Sequence, residues 1–302
     1  MKKCTPVGAG KGCAVHWPVL LLGMAITLVV SLSFHVVMLQ VLHVPYPDSS
    51  GVSRWATSVN TAFSIFAAML FYQLARPRLE RLSVWRQCLV VFALYAMLKE
   101  TTRILIMMSI FTTAWRYHLL AGIPGLLYYL VAGCMIVIAS RKLQGIWMKA
   151  AGAVAIAGIL IFAVNPWITR LAAPLLRSIA YLNHAEVYSF PYGWNVLIPA
   201  YATFVEPTAA CMLIAALVWR SLSSTTAVRV LQFVLLIMFL MGRFLPLFLF
   251  SFYLKLPLPT AALSESQFFL EALALALLTA LVWQLAKQPE PALKVSDPLA
   301  TR

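Results

Sequence analysis

Acidic residues are scarce in this chain. Nine Asp and Glu stand against 23 Lys and Arg among 302 residues, a formal charge of +14, and charged residues of both signs make up only 11%. A soluble domain carries about 25%. With 62% hydrophobic residues, a water-facing globule could not cover its own surface, because a folded surface needs polar atoms. The shortage of charge excludes a soluble fold and makes the lipid bilayer the solvent and first partner. The basic excess does not indicate nucleic acid. A polyanion-binding protein gathers its cations on one patch, whereas here they fall in short clusters between apolar runs.

Other absences narrow the function. The five cysteines, Cys4, Cys13, Cys88, Cys134 and Cys211, follow no zinc or redox spacing. The topology derived below puts none of them on the outer side, so no disulfide framework is expected. H-E-x-x-H, C-x-x-C-H and G-x-S-x-G do not occur. No metal site, haem or other cofactor is indicated, and no catalytic nucleophile is assigned. His35, His43 and His118 fall toward the outer side, where histidine is at home as an amphipathic residue. Cys211 falls in the inner half of its span, remote from them, so no nucleophile–base dyad is expected. No A-x-A-like site follows the first apolar run, and Gly10-Lys11-Gly12-Cys13 precedes that run instead of ending it. The first run therefore reads as a retained helix and not as a cleaved signal.

What is present is a series of apolar runs. A membrane helix needs about 20 mostly apolar residues, and such runs lie near 18–42, 55–74, 87–115, 119–139, 150–168, 194–219, 230–252 and 261–286. The expected fold is an all-α integral membrane protein, a bundle of about eight transmembrane helices with both termini cytoplasmic. Residues 1–17 form an N-terminal tail, 18–286 the polytopic domain, and 287–302, polar and proline-containing, a disordered tail.

Orientation follows from Lys and Arg, which concentrate on the inner side. Fifteen fall in the inner segments, among them Lys2, Lys3, Arg76, Arg86, Arg141 and Arg229. Arg54, Arg116, Arg170, Arg177 and Lys255 fall in the outer ones. The compact chain, without an extended soluble domain, suggests a prokaryotic inner membrane. Trp17, Trp55, Trp115, Trp167, Trp194 and Trp219 stand near span ends, as interfacial aromatics do. In the long outer loop 169–193, Ile168, Leu171, Leu175, Ile179 and Leu182 share one helical face, with Arg170 and Arg177 opposite. That pattern predicts a helix lying on the outer surface, interrupted at Pro174.

The third run, "LYAMLKETTRILIMM", contains Lys99, Glu100 and Arg103. Each central charge costs about 2.5–3.5 kcal/mol on the insertion scale, while each Leu, Ile, Val or Phe returns about 0.3–0.6 kcal/mol. The span is marginal alone. The three residues share one helical face, which should turn into the bundle. Glu206, Arg243 and Glu271 fall near the same depth in the sixth, seventh and eighth runs. Lys99, Glu100, Arg103, Glu206, Arg243 and Glu271 thus form an expected neutral centre. Pro207 and Pro246 free the carbonyls of Thr203 and Gly242 beside two of these charges. Charges at broken helices are a feature of transport sites.

Three functions fit. The first is movement of a small or headgroup-sized polar solute, with an anionic or lipid-linked ligand held by Lys99, Arg103 and Arg243. The second is an enzyme acting on a lipid-linked substrate at the outer face, with Glu265, Glu271 or His35 as acid–base group. The third is an assembly subunit whose charges lock helices together. The basic inner loop 75–86 serves as a topology signal and could also meet anionic lipid headgroups.

Overall fold

The computed structural model describes residues 15–111, 115–183 and 191–287. The N-terminal tail with Cys4 and Cys13, the residue His184, and the C-terminal tail beyond Lys287 lie outside them. The described residues form an all-helical bundle. Apart from a single antiparallel bridge between Val15 and Lys287, no strand pairing occurs among them.

Among the described residues, six helices are long and apolar enough to cross a membrane. The first, α1 (Trp17–Gln40), begins where His16 accepts a hydrogen bond from the Val19 amide. It packs along the last, α12 (Leu258–Ala286), and the His16 amide donates to the Ala286 carbonyl at 2.8 Å. The two ends of the described chain therefore stand side by side, as expected for termini on one side. Ser53 caps α2 (Arg54–Leu79) through the Ala56 amide. The expected fourth span is part of α5 (Trp115–Lys142).

The expected fifth span and surface helix are one continuous rod. Here α6 (Ile146–Ile159) passes through a π turn at Leu160–Val164 into α7 (Asn165–Ser178). Pro166 would crowd the carbonyl four residues before it. The wider turn accommodates it, with the Asn165 amide donating to Leu160. Ile168 is buried on this rod, whereas Leu171 and Leu175 are exposed.

In the sixth run, α8 (Trp194–Thr203) and α9 (Val205–Val218) meet at Phe204 and make one span. The seventh run is broken. After α10 (Thr226–Met241) the chain turns by 70° into α11 (Phe244–Leu249) and a short 3-10 turn. The pair counts as a seventh span if taken together. The third run is divided: α3 (Val84–Leu98) stops at Lys99, and α4 (Thr101–Phe111) starts after Glu100. Neither piece is of spanning length by itself. Among the described residues the count is thus six, or seven with the bent pair taken as one, where about eight were expected, and the difference lies in the divided third run and the bent seventh.

The core joins the helices through aromatic and small residues. Tyr72, Phe204, Trp219 and Phe233 are among its largest fully buried side chains. Trp219, expected at the interface, is buried instead, with the Arg229 guanidinium 5.8 Å from its ring. Trp17, Trp55, Trp115, Trp167 and Trp194 are exposed as expected. Gly133 of α5 faces the backbone of Phe92 on α3, where a β-carbon would stand 2.9 Å from the Phe92 Cα. Close approach through small residues is how membrane helices gain packing when lipid offers no hydrophobic drive.

Candidate functional site

The site is built on the end of α10. The last carbonyls of a helix have no intrahelical partner. Gly242 stops α10 in the left-handed region, φ 65°, and its amide returns to the Phe239 carbonyl while the Arg243 amide returns to that of Met238. The next three carbonyls are answered by side chains from other helices. Ser64 Oγ donates to Leu240 at 2.7 Å, Lys99 Nζ to Met241 at 2.8 Å, and Asn60 Nδ2 to Gly242 at 3.1 Å. Pro246 cannot supply the amide that would otherwise bond Gly242, so Asn60 of α2 replaces it. Ser64 is shared with the Tyr95 hydroxyl at 2.8 Å.

The division of the third run brings Lys99 to this place. The Lys99 amide still bonds Tyr95, and the Glu100 amide bonds Met97. Glu100 then adopts φ 56°, a left-handed conformation that costs a residue with a Cβ about 1–2 kcal/mol. Two arginines account for that cost being borne. Buried Glu100 forms an ion pair with Arg103, and Arg243 Nη2 approaches its other oxygen at 3.8 Å. The Arg103 guanidinium also lies 4.9 Å from the Phe204 ring, and that of Arg243 4.5 Å from Phe268.

Glu206 stands in the first turn of α9 but serves α4. Its Oε1 accepts from the Thr102 hydroxyl and from the Thr102 amide at 3.3 Å. An anion beside free amides at a helix start is favoured by both hydrogen bonding and the helix dipole. Its Oε2 has no hydrogen-bond partner. Glu271 is buried on α12. Five of the six expected residues are therefore tied together by contacts, while Glu271 has no described contact to them. The five form one ion-pair group around Glu100, one helix cap at Glu206 and one lysine bonded to a carbonyl.

A cavity of about 670 Å³ opens beside them. Lys99, Arg243, Glu265 and Asn60 supply its polar wall, and Asp48 and Ser49 stand at its loop end. Two hydrogen bonds from Ser50, backbone first, hold the Asp48 carboxyl below the ordinary carboxylate range. Glu265 Oε1 and His35 Nδ1 are buried without hydrogen-bond partners. His35 stacks on Phe268 at 4.8 Å and meets Tyr46 edge-on at 6.1 Å. Among the described residues, no three His, Cys, Asp or Glu side chains converge to hold a metal.

Sequence reasoning did not find Asn60, Ser64 or Thr102. Asn60, a lone amide inside an apolar run, carried a legible signal, since a buried amide in lipid needs partners. No family model, curated protein or solved structure matches this chain.

Proposed function

We propose that the chain carries a small or headgroup-sized anionic solute across a cell membrane, through the cavity beside the α10 break. One observation carries the reading. Two cations from two interrupted helices, Lys99 and Arg243, line the same cavity, and in the described contacts Lys99 meets neutral groups, the Met241 carbonyl and the Tyr95 ring. Arg243 is answered by Glu100, but a buried ammonium that meets only neutral groups is costly, and a bound anion at Lys99 offsets the cost. Lys99 and Arg243 hold the solute. Arg103, Glu100, Glu206 and Glu271 set the local charge and fix the helix ends. The breaks at Glu100 and Gly242 give the half-helices freedom to move, as in carriers with discontinuous helices.

The test is two-sided access. Met241→Cys, placed in the cavity wall of a chain whose native cysteines are replaced, is treated with an impermeant thiol reagent in vesicles of each orientation. A carrier is labelled from both sides, and more slowly once Lys99 is replaced by Met. Labelling confined to the loop side refutes carriage.

A second reading has its own observation. Glu265 lines the cavity with a buried oxygen that lacks a partner, which suits an acid–base group acting on a lipid-linked substrate at that end. Loop-side labelling together with loss of a lipid product in Glu265→Gln favours the enzyme.

A further inference from the structure

At the other end of the bundle, where the lysine- and arginine-rich segments lie, a second cavity of about 230 Å³ sits between α2, α5 and α6. Its wall includes Arg76, Arg141 and Lys149, with amide groups from Gln73 and Gln144. No carboxylate lines it among the described residues. Arg76 is answered by Glu80, whereas Arg141 and Lys149 meet only neutral groups in the described contacts, and a buried cation without a counter-ion is costly unless something negative enters.

The cations are held in place. Lys149 is 2% exposed, and its Nζ donates to the Leu143 carbonyl at 2.8 Å, leaving further N–H groups. Arg141 Nη1 donates to Gln87 Oε1 at 3.2 Å. That oxygen also accepts from the Tyr72 hydroxyl at 2.6 Å, while Gln87 Nε2 donates to Leu82. Arg76 pairs with Glu80 on the surface. The start of α6 adds to the attraction. Gly145, which lines the cavity, precedes it with φ 78° and provides no side-chain cap, so the positive end of the helix dipole lies at the cavity edge.

The independent sign of a ligand is Ser140. It is 8% exposed and lines the cavity, yet its Oγ has no hydrogen-bond partner. A buried hydroxyl without a partner costs stability. A hydroxyl, an ammonium and a guanidinium together make a donor set for a tetrahedral oxyanion.

We propose that this cavity binds a phosphoryl group. Two sources share that chemistry: a soluble phosphate and a lipid headgroup. Gln73 also borders an apolar groove of about 700 Å³ between α2 and α10, so a headgroup can reach the cavity while its chain lies against the helices. The site is independent of the carrier cavity and of how that cavity is used.

The experiment is thermal unfolding of the full chain in phosphate-free maltoside micelles. Inorganic phosphate is compared with chloride at equal ionic strength, and phosphatidic acid is doped into a parallel set. A rise with inorganic phosphate identifies a soluble ion. A rise with phosphatidic acid alone identifies a headgroup. Ser140→Ala is the decisive variant, because removing an unpartnered hydroxyl leaves the unliganded protein at least as stable as before. It should weaken the active probe about tenfold or more, and Lys149→Met should do the same. No rise with either probe overturns the proposal, as does a rise that Ser140→Ala leaves undiminished.

Discussion

A β-carbon on Gly242 would stand 2.8 Å from the ammonium nitrogen of Lys99. The left-handed turn that ends α10 and the lysine that ends α3 therefore occupy adjoining space, and each break is shaped by the other. Asn60 crowds the same point, with its Nδ2 at 3.2 Å from the added carbon. Gly242→Ala meets both obstacles and the left-handed strain. It should lower stability by about 1–3 kcal/mol, read as a fall in the thermal midpoint in detergent. A midpoint equal to wild type means that the turn relaxes freely.

Lys99→Met keeps the length of the side chain and removes its charge and donors. The Met241 carbonyl loses a partner, a cost of about 1–3 kcal/mol, while the repulsion between Lys99 and Arg243 disappears. These changes oppose each other, so the thermal midpoint should move little. Two-sided labelling of Met241→Cys should nevertheless be lost or slowed. A large fall in stability with unchanged labelling would make Lys99 a helix cap alone.

The spans were legible because apolar length is a property of the chain itself. The meeting of Glu100 with Arg103 and Arg243, and of Lys99 with Arg243 at one cavity, was legible from depth, since hydrocarbon drives ionised groups toward one another. The form of that convergence was not. No Gly or Pro marks residues 99–100, and the division there follows from Glu100 reaching two arginines on different helices. Ser64 and Asn60 cap α10 only because α2 lies beside it. The fifth run was expected to end near 168 and a separate surface helix to follow, but a π turn carried the helix on to Ser178. Each miss depends on a neighbouring helix or on a local turn that proline allows without forbidding a continuation.

Glu206 separates charge from capping. Gln at this position keeps an acceptor for the Thr102 amide and hydroxyl and places an amide where Oε2 has no partner. Glu206→Gln should therefore fold as wild type does. Glu206→Ala removes the cap of α4 and should cost about 0.5–2 kcal/mol. If the negative charge also balances the cations during carriage, Glu206→Gln slows labelling of Met241→Cys from the second side. Equal labelling rates in Glu206→Gln and wild type would restrict Glu206 to holding α4.

The pairing of α1 with α12 rests on shape. A β-carbon on Gly23 would press into both γ-methyls of Val282, and a β-branched side chain has little freedom to turn away. Gly23→Ala alone should lower stability by about 1–3 kcal/mol through overpacking. Val282→Ala alone opens a gap and should cost about 1–2 kcal/mol, somewhat less than larger truncations. Together the added methyl fills part of the space the valine vacates, so the double variant should be more stable than the sum of the two losses. Thermal unfolding of the four proteins measures the coupling. Simple additivity would show that α1 and α12 separate enough in the membrane for Gly23 never to meet Val282.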